Sequence, residues 1–312
     1  MCEENETQVT KIHLLGFRSL HKYRTLLFIV FLLTYIFILG GNLLIIALVS
    51  VIDHLKTPMY FFLKHLSIAD VLLTTSVVPV MLDIILVERG IFSFWGCIMQ
   101  LYLFCMFGFV QCLIIAIMSF DRYLAICHPL RYTSLMNQDI CLQLIVGSWF
   151  IVCVLALSEF FVLIQINFCG LNSIDHFFCD FGPVVELATS DSSILILQDF
   201  VFAIIMILFP FVFIIMTYVL IFFTILKISS IFGRRKAFST CSSHLTSVCI
   251  YYGTLLTVYS APSDENTSHI NKYRSLLYLV VTPLMNPIIY SLRNQEIKRA
   301  VQKVIITISQ NG

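Results

Sequence analysis

Seven apolar runs, at about 23–49, 58–86, 98–126, 140–166, 194–226, 238–260 and 275–291, decide most of what this chain can become. A helix needs about 20 residues to cross the hydrocarbon of a bilayer, and every run reaches that length or comes close. A soluble globule is excluded by composition. With 59% hydrophobic and 12% charged residues over 312 positions, the apolar side chains cannot all hide in one core. A net charge of +1 gives no basic footprint, so no nucleic-acid partner is expected. No repeat of about 20–50 residues marks a solenoid, and nothing marks a second domain.

Where the charges fall sets the expected topology. Lys227, Arg234, Arg235 and Lys236 lie between the fifth and sixth runs, and Arg293, Lys298, Arg299 and Lys303 come after the seventh. The long loop between runs four and five holds Asp175, Asp180, Glu186 and Asp191 without a Lys or Arg. Basic loops stay in the cytoplasm, so the expectation is an all-α membrane protein, a seven-helix bundle with its N-terminus outside and its C-terminus inside. Residues 1–22 form an outer segment, 23–291 the membrane domain and 292–312 a cytoplasmic tail. The outer segment has no apolar h-region or cleavage site, so no removable signal is expected and the first run would be an uncleaved anchor. Asn5-Glu6-Thr7 is a glycosylation sequon, usable if this end is outside; Asn266-Thr267-Ser268 is a second.

The third run ends in Met118-Ser-Phe-Asp-Arg-Tyr-Leu-Ala-Ile-Cys-His-Pro-Leu-Arg-Tyr132. Charges such as Asp121 and Arg122 are tolerated there only where a helix meets the interface. By itself, Asp-Arg-Tyr reads equally as a snorkelling interfacial arginine. Further motifs surround it: Gly41-Asn42, Leu66-Ser67-Ile68-Ala69-Asp70, Thr217-Tyr218, and Pro283-Leu-Met-Asn286-Pro287-Ile-Ile-Tyr290. Leu55-Lys-Thr-Pro-Met-Tyr-Phe-Phe-Leu63 opens the second run and Lys236-Ala-Phe-Ser-Thr-Cys-Ser-Ser-His244-Leu245 the sixth, while Ser291-Leu-Arg-Asn294 leads into a short amphipathic segment. Together, from about Asn42 to Lys298, they resemble the odorant-receptor branch of the rhodopsin-like G-protein-coupled receptors.

That resemblance carries definite expectations. Asn42, Asp70 and Asn286 are polar groups deep in hydrocarbon that should face one another, bridged by water or an ion. Taken alone they read as polar glue between helices, and the resemblance makes them the polar core that relays activation. The family usually places a Glu where this chain has Gln111, which puts sodium binding near Asp70 in doubt. Asp121, Arg122, Tyr218, His244, Asn286, Pro287 and Tyr290 would form the activation switch; His128 reads as a packing or G-protein-face residue. Of the 11 cysteines, most are expected to be small core hydrophobes. The family's disulfide would join Cys97 to Cys179. A second loop bridge from Cys169 would need a cysteine where Thr189 stands, leaving Cys169 free or differently paired. Zinc held by Cys169, His176 and Cys179 is a competing idea without paired ligand spacing to support it, and neither a metal nor a cofactor is expected.

Phe104, Cys105, Gly108, Phe109 and Cys112 share one face of the third run by helical spacing. In receptors of this kind that face lines the ligand cavity, completed here by Phe202, Met206, Tyr252, Leu255, Tyr259 and Leu279. The wall is aromatic and apolar, without a carboxylate on helix three, so a small, mostly apolar and largely uncharged ligand is expected. Glu159 is an intramembrane acid with no evident partner in sequence. The implied function is that of a plasma-membrane odorant receptor working through a stimulatory, olfactory-type G protein and cyclic AMP. A transporter or channel would need internal repeats and a charged path. An enzyme would need a catalytic constellation such as His-Glu-x-x-His, and the sequence has none.

Overall fold

The computed structural model describes residues 8–87, 90–170, 172–259, 268–293, 296–298 and 302. Seven long helical spans form the bundle: α1 Arg24–Val51, α2 Pro58–Val87, α3 Phe94–Cys127, α5 Gln138–Leu163, a fifth built from α7 Ser193–Ala203 and α8 Phe209–Lys227, then α9 Ile231–Tyr259 and α10 Ser268–Arg293. A short α4, Pro129–Leu135, succeeds α3, and α6, Phe181–Val185, interrupts the long outer loop. Between α7 and α8, Ile204–Leu208 winds as a π-helix, which adds a residue to the turn and rotates α8 relative to α7.

Local chemistry explains the starts. Pro58 opens α2 and Pro129 opens α4, the position where the missing N–H is harmless. Ser93 and Asn137 cap α3 and α5 by accepting the N–H groups of Gly96 and Ile140. The sixth and seventh helices begin at Ile231 and Ser268, well before the apolar runs that mark them. Hydropathy reports the thickness of the hydrocarbon, whereas the helical backbone continues into the aqueous margin. Among the described residues, five spans are both long and apolar enough to cross a membrane by length and composition; α9 and α10 are as long but more polar.

The bundle exposes large apolar side chains and buries a small set of polar ones within a mostly apolar interior. Phe37, Phe150 and Phe209 are each more than two-thirds exposed, while Asn42, Asp70, Gln111, Asp121 and His244 are fully buried. Only a lipid surround makes that distribution stable. The central helix is α3, which packs against α2, α5, α8 and α9.

A small sheet closes the outer end. Strand β1, Lys11–Leu14, pairs antiparallel with β2, Gly90–Ser93, in the register Lys11↔Ser93, and parallel with β3, Ser173–Ile174. Ile12 and Leu14 are fully buried beneath it. Gly16 turns the chain at φ 57°, and a Cβ there would lie 2.5 Å from Ile84 Cγ2, so only glycine fits. Asn5 and Asn266 lie outside the described residues, as does the side chain of Tyr259. Of the segment after the seventh span, only 296–298 and 302 are described, and they are helical.

Candidate functional site

A cavity of about 220 Å³ opens between α3, the fifth span, α9, α10 and the outer loop. That is below the roughly 300–1,000 Å³ of sites for drug-sized ligands. Phe104, Cys105, Gly108, Phe109 and Cys112 line it from α3, and Leu255 from α9. The remaining walls differ from the sequence reading by one residue on each helix. Ile207 lines the cavity rather than Met206, Tyr251 rather than Tyr252, and Tyr278 rather than Leu279. Met206 and Tyr252 are packed in the core between helices, with Tyr252 against Phe211 at 4.7 Å, and Leu279 packs towards α2 and Phe177. Phe202 is buried away from this wall. Adjacent helical residues point 100° apart, and both members of each pair are apolar or aromatic, so periodicity offers no contrast between them.

The roof is the outer loop. Cys179 is bonded to Cys97 at the start of α3, across 82 residues of chain. Its N–H donates to Gln100 Oε1 at 3.0 Å, and Gln100 Nε2 donates to the Ser76 carbonyl at 2.9 Å. Phe178 packs on Phe104 at 4.8 Å, and Phe177 stacks on Phe17 at 5.1 Å. Lys272 ties α10 to this cap, bonding Asp175 at 2.7 Å and the Gly16 carbonyl at 2.8 Å. The loop's His176 accepts the Phe178 N–H at Nδ1 and is almost fully buried, which pushes its pKa down to about 4. Cys169 is disulfide-bonded, so it is not a free thiol. With both loop cysteines oxidised, the zinc set of Cys169, His176 and Cys179 has no thiolate to offer. No metal-binding cluster occurs among the described residues.

Two carboxylates also reach the cavity, Asp180 from the loop and Asp199 from α7. Asp199 is an acid inside the apolar run 194–226, a signal visible in the sequence although helix three itself carries no carboxylate in the cavity. Glu159 borders a smaller adjoining cavity behind Cys105 and Phe109.

Beneath the cavity runs a chain of polar contacts. Tyr251 Oη donates to the Gly108 carbonyl at 2.9 Å and meets Cys112 Sγ at 2.9 Å. Tyr278 Oη donates to Gln111 Oε1 at 3.3 Å, Gln111 Nε2 to Asp70 Oδ1 at 2.8 Å, and Asn286 Nδ2 to Asp70 Oδ2 at 2.9 Å. Asn42 makes no direct bond to Asp70 or Asn286 among the described contacts; it donates to the Ile38 and Pro283 carbonyls, each at 3.0 Å. The reason is Pro287, which has no N–H to give the Pro283 carbonyl four residues earlier, so Asn42 supplies the missing donor.

At the inner end, Arg122 pairs with Asp121 through Nε at 3.0 Å and through a closer Nη2 contact. Tyr132 of α4 donates to the other Asp121 oxygen at 2.7 Å. His244 is fully buried and uses both ring nitrogens, Nε2 towards the Ile115 carbonyl at 3.2 Å and Nδ1 towards Tyr218 Oη at 2.6 Å. Since a carbonyl can only accept, Nε2 carries the proton and the Tyr218 hydroxyl donates to Nδ1. Tyr290 is buried nearby on α10. His128 bonds Tyr123 at 3.0 Å.

Comparison with known proteins places this arrangement. A sequence profile described as olfactory receptor matches residues 31–308. Olfactory receptor 10A7 of Homo sapiens is 44% identical over 98% of this chain and 96% of its own length. Olfactory receptor 5P81 of Mus musculus is 46% identical over 96% of this chain and 95% of its own. The crystal structure of squid rhodopsin superposes with a TM-score of 0.75 at 17% identity, covering 91% of this chain and 80% of that one. On these matches the chain belongs to the olfactory receptor family, multi-pass plasma-membrane receptors and not enzymes, and it shares the helical-bundle fold of rhodopsin.

Proposed function

We propose that this receptor binds a small, mostly apolar odorant in the cavity above Gly108 and activates a stimulatory, olfactory-type G protein that raises cyclic AMP. The observation that carries the reading is continuity. Tyr278 and Tyr251 stand in the cavity wall, and from Tyr278 the hydrogen bonds run through Gln111 and Asp70 to Asn286. A ligand that displaces Tyr278 therefore disturbs the contact between α2, α3 and α10. At the cytoplasmic side, α9 has no Asp or Glu, so no acid there can hold Arg122. The resting state is held by Asp121, by Tyr132 and by the His244 bonds that tie α9 to α3 and α8. An agonist that prefers an outward-swung α9 shifts the population by its difference in affinity for the two states, and Arg122 is then released to the G protein.

The N-terminal segment 1–22 is outside in this reading and the tail from 292 is inside. The test is a cyclic AMP screen of the surface-expressed receptor against odorant mixtures, repeated with Gly108→Leu. A Cβ on Gly108 would already lie 2.6 Å from Tyr278 Oη, so a leucine side chain there takes up the space that a ligand would occupy. Loss of most responses is expected. A Gly108→Leu receptor that reaches the surface and responds normally places the ligand elsewhere.

A further inference from the structure

We infer that Asp199 selects ligands with a basic nitrogen, so that this receptor reads small amines with an apolar body. The inference rests on the cavity above Gly108 being the odorant site. The α3 face of that cavity is uncharged, but negative charge enters it from two other elements, Asp199 of α7 and Asp180 of the outer loop. The two carboxylates are close enough to repel one another, and Glu159 in the adjoining cavity repels Asp199 as well.

The acids differ in how they are satisfied. Asp180 has local work, since Oδ1 accepts the Phe181 N–H that starts α6 and Oδ2 accepts from Ser275 at 3.4 Å. Glu159 Oε1 is buried without a hydrogen-bond partner. Asp199 makes no hydrogen bond or ion pair among the described residues, although it is at most partly exposed. Among the described residues no Lys, Arg or His lines either cavity. Lys272, at the outer end of the bundle, is held by Asp175 and Gly16.

A carboxylate that faces an apolar cavity, has no protein donor and stands near other acids lies in an unfavourable field. An ammonium group relieves both problems, because it donates to Asp199 while neutralising the local field. The rest of the cavity suits the remainder of such a ligand. Phe104, Phe109, Tyr251 and Tyr278 supply apolar and aromatic surface for an alkyl or cyclic body, and aromatic faces also attract a cation. A hydrocarbon gains nothing from Asp199, an alcohol gains one hydrogen bond that an amide oxygen can also accept, and an ionised carboxylic acid is repelled. The acid on this receptor's fifth span thus sets the charge of its ligands.

The test compares cyclohexylamine, cyclohexanol, methylcyclohexane and cyclohexanecarboxylic acid, with linear counterparts of each, on cells expressing the receptor at measured surface levels. Cyclic AMP is the readout, and a promiscuous G protein with a calcium readout is run alongside. Wild type should respond to the amines at the lowest concentrations and ignore the acids. Asp199→Asn, which keeps the shape and removes the charge, should raise the half-maximal concentration for amines about 10- to 100-fold. The response to alcohols should stay nearly unchanged, and Asp199→Glu should keep the preference for amines. An amine response that survives Asp199→Asn at normal surface level overturns the inference, and so does a wild type silent to every amine. Gly108→Leu separates the two layers of argument. If it abolishes responses to neutral ligands while Asp199→Asn changes none, the cavity reading stands and the charge selectivity falls. If Gly108→Leu leaves every response intact, the cavity reading itself is wrong.

Discussion

Asp121 accepts two hydrogen bonds at the inner end of α3, from Arg122 and from Tyr132, and it is fully buried. The attraction within the pair is stronger there than in bulk water, because the surroundings are less polarisable. Asp121→Asn keeps the shape but weakens both bonds, and basal cyclic AMP per surface receptor should rise. Tyr132→Phe removes only one bond and should raise it less. Arg122→Ala should leave a receptor that folds and reaches the surface but does not signal. A quiet Asp121→Asn at normal surface level would defeat this account of the resting state. Higher in the bundle, Gln111 works in both directions, donating to Asp70 and accepting from Tyr278. Gln111→Leu strands a buried acceptor and a buried hydroxyl, at a cost of about 1–3 kcal/mol each. The purified variant should melt earlier, and agonists should lose efficacy more than affinity, because the link and not the pocket is cut.

Elements of the outer face act as one lid. The Cys97–Cys179 bond fastens the loop to α3, Lys272 fastens α10 to the loop, and β1 lies between β2 and β3. Breaking a native disulfide in an outer domain typically costs about 2–5 kcal/mol. Cys97→Ser and Cys179→Ser should each abolish surface expression by flow cytometry. Because Cys169 is also disulfide-bonded, Cys169→Ser should lower surface expression too, which a lone buried thiol would not do. The lid has a pH limit as well. His176 is held neutral in the folded loop, with its pKa lowered to about 4 by burial, whereas an unfolded chain takes up the proton below about 6.5. Protonation therefore favours the unfolded state. Stability should be constant above pH 6.5, fall as pH drops from 6.5 to 4, and level off below, a loss of at most about 3 kcal/mol. Thermal unfolding of the detergent-solubilised receptor across that window measures it, and His176→Gln should flatten the slope in that window. An unchanged slope would assign the pH dependence to other groups.

At the scale of the whole molecule, large apolar side chains cover the surface as well as the core, and a few amides and carboxylates are buried among them. On the proposed topology, orientation follows the basic residues of the loops. An antibody to an N-terminal tag should label intact cells, and Asn5→Gln should remove a glycan-sized mass from the receptor on a gel. Labelling only after permeabilisation would reverse the topology and, with it, the assignment of the cavity to the outer side.

The spans themselves were legible in the residues, because the thickness of a bilayer sets the length of an apolar run and because lipid forces the backbone into helices. So was the need for Asp70 and Asn286 to meet, since a polar group in hydrocarbon without a partner is costly. The adjacency of Asp121 and Arg122 is a property of the chain order. What tertiary structure decided was rotation and company. Tyr251 and Tyr278 face the cavity while Tyr252 and Leu279 do not, because neighbouring aromatic and apolar residues give periodicity nothing to choose between. On the fifth span a π-helical turn shifts the face again. Asn42 serves a proline-orphaned carbonyl of α10 rather than Asp70, a match that depends on which turn lies opposite. Asp180 and Asp199 stand 19 positions apart in the chain, and only the folding of the outer loop over the fifth span brings both acids to one cavity.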